Sequence, residues 1–247
     1  MKRMQGRRRI MKEKMNKIPV FYACDDNFVK YTMVSLQSMM DHASKEVQYE
    51  IHVLHTNISE EMQKKMHAME NANFSVQFDH VTEYLHSVQE KLPLRDYYSK
   101  TTYFRLFIAE MFPEIDKAIY IDSDTVVLGD IAQLYAYDLG DAYVGACKEQ
   151  VMIQEEVYGT YVEKVLGVER DNYFNAGMLV INCEQFRKNH VLEQFMELLP
   201  MYNFVVTQDE DYLNLICHNK VCWLPQKPRR RNLCAALYYG LEAVALQ

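Results

Sequence analysis

Apolar residues in this chain come in short runs, and their spacing alternates between the two periods of regular structure. Residues 19–24 (Pro-Val-Phe-Tyr-Ala-Cys) are uninterrupted by charge and read as a strand buried on both faces. Residues 28–40 follow with helical spacing, and Tyr31, Val34, Leu36 and Met39 are its expected apolar positions. A second strand is expected over residues 49–55. Ser59 then offers an N-cap, with Glu60 and Glu61 in the first turn of a second helix. Residues 73–78 alternate polar and apolar and read as a third strand. Strand, helix, strand, helix, strand is the opening of a parallel, nucleotide-binding half-sheet. A helix is expected over 101–111, with Tyr103, Phe104, Phe107 and Met111 buried and Pro113 beyond its end.

Residues 119–124 form the next strand of the pattern, followed by a short helix or turn at 130–137 and a strand at 142–147. Residues 148–170 are mostly polar and are expected to form a helix plus a mobile segment over the site. A buried strand follows at 178–181, with Gly177 before it marking a close backbone approach or unusual φ/ψ. Helices are expected at 183–199 and 207–217, and a last short strand at 220–224. The fold class predicted is α/β: one domain, residues 18–226, with a mostly parallel central sheet flanked by helices.

The strand at 119–124 ends in two carboxylates, Asp122 and Asp124. A regular strand would send both out on one face. At the end of a central strand that face opens on the crevice where open α/β sheets bind ligands. Two hard oxygen donors there suit a divalent cation, and a cation suits a diphosphate. With 14 Asp in 247 residues, chance supplies about 0.8 Asp-x-Asp per chain, so the tripeptide needs its context.

Composition changes this picture little. Hydrophobic residues make up 49% and charged residues 25%, as in a globular protein with a full core. No apolar run approaches the ~18 residues that span a bilayer. The six cysteines form no C-x-x-C and read as reduced core thiols; Cys217, His218 and Cys222 are the single metal-like grouping. Charge is more informative. Residues 1–17 carry eight Lys/Arg and one Glu, whereas the remaining chain is strongly acidic. The acidic body argues against a nucleic-acid-binding surface. The basic head lacks the apolar core of a signal peptide. It is expected to be a solvated, disordered tail, with peripheral contact to anionic lipid as the alternative.

Five segments, in order, carry a resemblance: Tyr22-Ala-Cys-Asp-Asp-Asn27, Thr101-Thr-Tyr-Phe-Arg-Leu106, Tyr120-Ile-Asp-Ser-Asp-Thr125, Tyr173-Phe-Asn-Ala-Gly177 and Gln208-Asp-Glu-Asp211. Together they resemble glycosyltransferase family 8, which includes bacterial lipopolysaccharide galactosyl- and glucosyltransferases and, more distantly, glycogenin. The resemblance covers about residues 19–224. It implies a GT-A (Rossmann-like) fold, a UDP-glucose or UDP-galactose donor, a saccharide or glycolipid acceptor, and retention of configuration. It further implies a Mn²⁺ (or Mg²⁺) cofactor and a cytoplasmic setting, at most peripheral to the inner face of the membrane.

Residue by residue, the resemblance implies that Asp122 and Asp124 are the metal ligands. Ala23, Asp25 and Asn27 would meet uracil and ribose, though Asp25 and Asp26 also suit helix capping. Arg105, Ser123, Asn175 and Ala176 would face the donor, and Asp209 would bond hydroxyls of its sugar. Glu210 stands where many bacterial members have Gln, beneath the anomeric carbon. It would serve as nucleophile or as stabiliser of developing positive charge; a solvated helix carboxylate is the other reading.

The chain also departs from the family pattern. Members carry a C-terminal His-Tyr-x-Gly…Lys-Pro-Trp segment that supplies a third metal ligand and a phosphate lysine. Here His218 is the last histidine, and Lys227-Pro228 has no His-Tyr before it. Residues 227–247 are expected to be an atypical, truncated or frame-shifted tail. A catalytically impaired nucleotide-sugar-binding module is therefore the rival to an active transferase. A nucleotidyltransferase is a weaker rival, because residues 22–27 lack its Gly-rich phosphate loop.

Overall fold

The computed structural model describes residues 17–88, 101–202, 204 and 206–225. Residues 1–16 of the expected basic tail and the 227–247 segment lie outside the described residues, and Lys17, the last residue of that expected tail, is the first of β1. Seven strands form one sheet: β1 (Lys17–Ala23), β2 (Gln48–His55), β3 (Phe74–His80), β4 (Lys117–Ile121), β5 (Val144–Ala146), β6 (Met178–Asn182) and β7 (Val221–Trp223). Their order is β3-β2-β1-β4-β6-β5-β7. The first four pair in parallel, as do β5 and β7, while β6 runs antiparallel to both β4 and β5.

This topology places the site. β1 and β4 are parallel neighbours, with Val20 beside Ile119 and Phe21 beside Tyr120. Their C-terminal ends, Ala23 and Ile121, therefore emerge side by side. Because β6 is antiparallel to β4, the chain entering β6 arrives at the same edge, and the Asp122 amide donates to the Gly177 carbonyl at 2.8 Å. Three of the five segments that carry the family resemblance meet there.

The central strands are sandwiched, so each face carries its own core. Phe21, Tyr120, Leu179 and Ile181 face one cluster, with Phe104, Phe186, Phe195 and Leu213. Val20, Tyr22, Ile119, Ile121 and Val180 face the other, with Val29, Leu36, Met39, Met66 and Leu134. Burying each such side chain contributes about 1.5–3 kcal/mol. Cys24, Cys147, Cys183 and Cys217 are buried within these layers.

Helices α1 (Val29–His42) and α2 (Glu60–His67) cross between the first strands, and α3 is Val81–Val88. Ser59 caps α2 by accepting from the Met62 amide, as its sequence predicts. The face of α1 differs from expectation. Tyr31 and Val34 are exposed, and the buried face is Val29, Thr32, Ser35, Leu36 and Met39. Thr32 and Ser35 are tolerated inside because each has a partner: Thr32 Oγ1 donates to Ser123 Oγ, and Ser35 Oγ pairs with the Tyr22 hydroxyl.

Three further departures matter. The helix expected over 101–111 is a 3-10 turn (Thr101–Leu106) followed by α4 (Ile108–Met111). Arg105 Nε folds back onto the Thr102 carbonyl at 2.9 Å, which keeps that segment tight. After the short α5 (Ala132–Tyr135), residues 150–166 form α6 (Gln150–Gln154), α7 (Glu156–Tyr161) and one π-helical turn (Val162–Leu166), where a helix plus a mobile segment was expected. The helix expected over 183–199 is split into α8 (Cys183–Lys188) and α9 (Val191–Leu198), with His190 in the left-handed region between them. Helix α10 is Asp209–Cys217.

Candidate active site

Strand β4 ends at Ile121, so Asp122 and Asp124 belong to the turn beyond it rather than to the strand itself. The alternation nevertheless continues: Ser123 and Thr125 are buried, and Asp122 and Asp124 point outward. Both carboxylates line a cavity of about 210 Å³ with Ala23, Phe28, Thr101, Thr102, Tyr120 and Ser123. Ser123 Oγ donates to the Ala23 carbonyl at 3.2 Å, tying the ends of β4 and β1 together. Partial burial, and then the neighbouring Asp122, raise the Asp124 carboxyl above its ordinary value.

Arg105 is the hub of the site. It is 3% exposed, and its Nη2 donates to Asp122 Oδ1 at 2.8 Å. Its Nη1 donates to the Ala176 carbonyl, and its guanidinium lies 4.3 Å from the Tyr120 ring centre. Tyr120 donates its hydroxyl to the same Asp122 oxygen at 2.9 Å. Burial works against the Arg105 charge, but Asp122 and Asp209 outweigh it and hold the guanidinium above its ordinary value.

Asp209, Glu210 and Asp211 open α10 and are all buried. The reading of Glu210 as a solvated helix carboxylate is thereby corrected. The helix N-terminus favours negative charge there, and each acid also has its own partner. Asp209 Oδ2 lies 3.0 Å from Arg105 Nε, although that N–H is aimed at the Thr102 carbonyl. Among the described residues, Asp209 Oδ2 and the buried Thr102 Oγ1 have no aligned hydrogen-bond partner. Burial pushes the Asp209 carboxyl up to about 6, with Arg105 opposing and Asp122 adding to the rise. Asp211 accepts from the hydroxyls of Tyr161 and Tyr173, each at 2.8 Å, and from the Thr207 amide at 3.2 Å. Gln208, just before the helix, has φ +52°. A non-glycine residue there costs energy that the surrounding contacts must offset.

The first loop contributes differently from its motif neighbours. Asp25 Oδ1 accepts from the Asn27 and Phe28 amides at 3.0 Å each, closing the turn that leads into α1, while its other oxygen makes neither bond. Asp26 Oδ1 accepts from the Ser59 amide and hydroxyl at 2.8 Å each and pins the β1–α1 loop to the start of α2. Asn27 is exposed. Neither Asp25 nor Asn27 lines the cavity itself.

The family described as Glycosyl transferase family 8 matches residues 19–227. The chain belongs to that family. A Haemophilus influenzae protein, provisionally named a glycosyltransferase, is 30% identical over 206 residues, covering 82% of this chain and 60% of that protein. The lipopolysaccharide 1,3-galactosyltransferase of Salmonella typhimurium is 24% identical over 218 residues, covering 86% of this chain and 63% of its own length. The chain thus spans about three fifths of these curated relatives. Among solved structures, the galactosyltransferase LgtC in complex with donor and acceptor sugar analogues superposes with TM-score 0.68 at 28% identity, covering 83% of this chain and 73% of LgtC. The mixed, mostly parallel α/β sheet of this family 8 chain is thus GT-A-like.

Two features of the family 8 site were beyond or only partly within reach of the sequence. Gly177 marks a close approach: a Cβ added there would sit 2.7 Å from Asp122 Oδ2. The glycine leaves room beside the Asp122 oxygen that Arg105 and Tyr120 do not use. Gly177→Ala is accordingly expected to displace that carboxylate and to cost about 1–3 kcal/mol, measurable by urea denaturation. The second feature, Glu149, was missed. It lies just beyond β5, is 5% exposed, and accepts from Asn175 Nδ2 at 2.6 Å. Asn175 also reaches Glu210, at 3.5 Å, and the Ala176 amide donates to Glu210 Oε2 at 2.7 Å. Its position at the C-terminal edge of a strand was the one available signal.

The family's metal has two fitting residues. Asp122 Oδ2 and the Asp124 carboxylate are hard oxygen donors on one cavity wall, suited to Mn²⁺ or Mg²⁺. Among the described residues no group of three His, Cys, Asp or Glu is arranged to hold a metal ion, the Cys217–His218–Cys222 grouping included. No helix among the described residues is long and apolar enough to cross a membrane.

Proposed function

We propose that residues 18–226 form one GT-A domain that transfers glucose or galactose from a UDP-sugar to a hydroxyl of a saccharide or glycolipid acceptor. Configuration at the anomeric carbon is retained, and the product belongs to cell-surface polysaccharide or lipopolysaccharide synthesis. A nucleotide-sugar donor goes with a cytoplasmic reaction, peripheral to the membrane where the acceptor is a glycolipid. The observation that carries the reading is the buried Arg105, which joins Asp122 on the cavity wall to the buried Asp209 at the start of α10.

The residues take these roles. Ala23, Asp25 and Asn27 at the end of β1 hold the uridine, with Phe28 and Ser123 lining the cavity beside them. Asp122 and Asp124 hold the Mn²⁺ or Mg²⁺ ion, which when bound neutralises the diphosphate leaving group. Arg105 fixes the direction of Asp122 and Asp209. Asn175 and Ala176 position Glu210 beneath the anomeric carbon of the sugar.

Incubation with UDP-glucose or UDP-galactose and Mn²⁺ is expected to release UDP even without acceptor, and chelation is expected to abolish that release. The rate should fall as pH drops through about 6, because protonating Asp209 removes its pairing with Arg105. The pair of carboxylates without a third ligand among the described residues favours a second reading, a nucleotide-sugar-binding module. Tight, Mn²⁺-dependent UDP binding with no turnover of either donor would favour that module over the transferase.

A further inference from the structure

Two buried carboxyl groups in this molecule share one amide. Glu149, Asn175 and Glu210 are 5%, 2% and 7% exposed. Asn175 Nδ2 donates to Glu149 Oε2 at 2.6 Å and reaches Glu210 Oε2 at 3.5 Å. Glu149 Oε1 accepts from the Val151 amide at 3.0 Å, and Glu210 Oε2 accepts from the Ala176 amide at 2.7 Å. Every one of these donors is a neutral amide N–H, and among the described residues no ion pair to either carboxyl is formed.

The remaining charged and titratable groups around Glu210 do not repair this. Asp209 and Asp211 flank it on α10. The Tyr173 hydroxyl donates to Asp211. Arg105 is the one cation among these groups, and it is already paired with Asp122 and Asp209. Two carboxylates cannot both stay ionised cheaply in such an enclosure. Oε2 of Glu210 is occupied by N–H donors, which leaves Oε1 as the atom to carry a proton.

We propose that Glu149 and Glu210 hold one proton between them, carried on Glu210 Oε1, and that Glu149 is a positioning residue that keeps Glu210 a neutral hydrogen-bond donor. Burial, and then Glu149, push the Glu210 carboxyl well above the usual carboxylate range, in agreement with that geometry. The donor role rests on the transferase reading; the shared proton does not. In the transferase, a neutral Glu210 is no nucleophile. It offers the sugar an O–H dipole, much as an amide side chain would offer an N–H.

The sign of the pH effect follows. An acid whose folded-state pKa lies above its unfolded value, about 4.3, binds more protons folded than unfolded in the interval between them. Stability therefore falls as pH rises through that interval, and removing the second carboxyl should narrow it.

The test is infrared spectroscopy of the full chain, following the carbonyl stretch of a protonated carboxyl as the difference between wild type and Glu210→Gln. The band is expected to be present at neutral pH. In Glu149→Gln its midpoint should fall by at least about one pH unit, a tenfold weaker hold on the proton. A purely structural Glu149 would lower the melting temperature and leave that midpoint in place. Absence of the band at neutral pH, or an unmoved midpoint in folded Glu149→Gln, overturns the proposal. If Glu149→Gln does not fold, the wild-type band at neutral pH, read as the difference from Glu210→Gln, decides it: its presence supports the proposal and its absence overturns it. A band that shifts as expected, in a chain that turns over no donor, sustains the shared proton and refutes the transferase reading alone.

Discussion

Replacing Arg105 with leucine is expected to destabilise the chain by about 3–5 kcal/mol at pH 8, the usual cost of removing one partner from a buried ion pair. Leucine fills much of the space but leaves Asp209, which is 5% exposed, with no ion-pair partner among the described residues. Asp122 matters less to this sum, because a third of its side chain is exposed and water screens it. Loss of the contact with the Tyr120 ring adds to the cost. For a domain of this size the melting temperature should drop by about 10 °C.

The size of the effect should depend on pH, with a definite sign. Burial already raises the Asp209 carboxyl to about 6, above its unfolded value, so the folded chain holds an extra proton between the two. Without Arg105 that value climbs further, and the interval in which stability falls with rising pH extends upward. The variant should lie nearer to wild type at about pH 5 than at pH 8, by up to about 2.7 kcal/mol, the most that one carboxyl with a value of about 6 supplies over that interval. Urea melts at both pH values measure this directly, and equal losses at the two would remove Arg105 from the role assigned to it. Arg105→Lys should recover only part of the loss, since one ammonium cannot span two carboxylates and a carbonyl as the guanidinium fork does.

The sandwiched strands were the most legible part of the sequence. Residues 19–24 and 119–121 are apolar on both faces, and period two leaves them little alternative. The helix faces were less legible, because hydrophobicity is a poor guide where polar residues are buried with partners. Thr32 and Ser35 on α1 were passed over in favour of Tyr31 and Val34, since nothing local reveals that Ser123 and Tyr22 wait opposite them. The run Asp209-Glu210-Asp211 is the same lesson with charge. It resembles a solvated helix face, yet Arg105, the Ala176 amide and the Tyr161 and Tyr173 hydroxyls make its burial possible. Residues that share an ordered motif could be picked out singly. Glu149 could not, because its meeting with Asn175 and Glu210 depends on β5, β6 and α10 all being in place.

Asp122→Asn and Asp124→Asn are each expected to weaken Mn²⁺-dependent UDP binding at least about 100-fold, or about 2.7 kcal/mol, while differing in what else they disturb. Asp122 has divided its oxygens: Oδ1 serves Tyr120 and Arg105, and Oδ2 lies in the space that Gly177 leaves open. Its asparagine variant should therefore lose both the cation and part of the Arg105 pairing, and should melt below wild type. Asp124 is exposed at the cavity wall, so its variant should lose the cation and melt close to wild type. Metal binding needs both carboxylates ionised, and burial with Asp122 beside it raises the Asp124 carboxyl. Affinity for Mn²⁺ should thus fall as the solution is acidified, and more steeply in wild type than in Asp124→Asn, which has lost that titrating group. Calorimetric titration of UDP with and without Mn²⁺ separates these terms. If both variants kept their metal-dependent affinity, the cation would have to be held by other residues, and the turn after β4 would be a structural anchor for Arg105 alone.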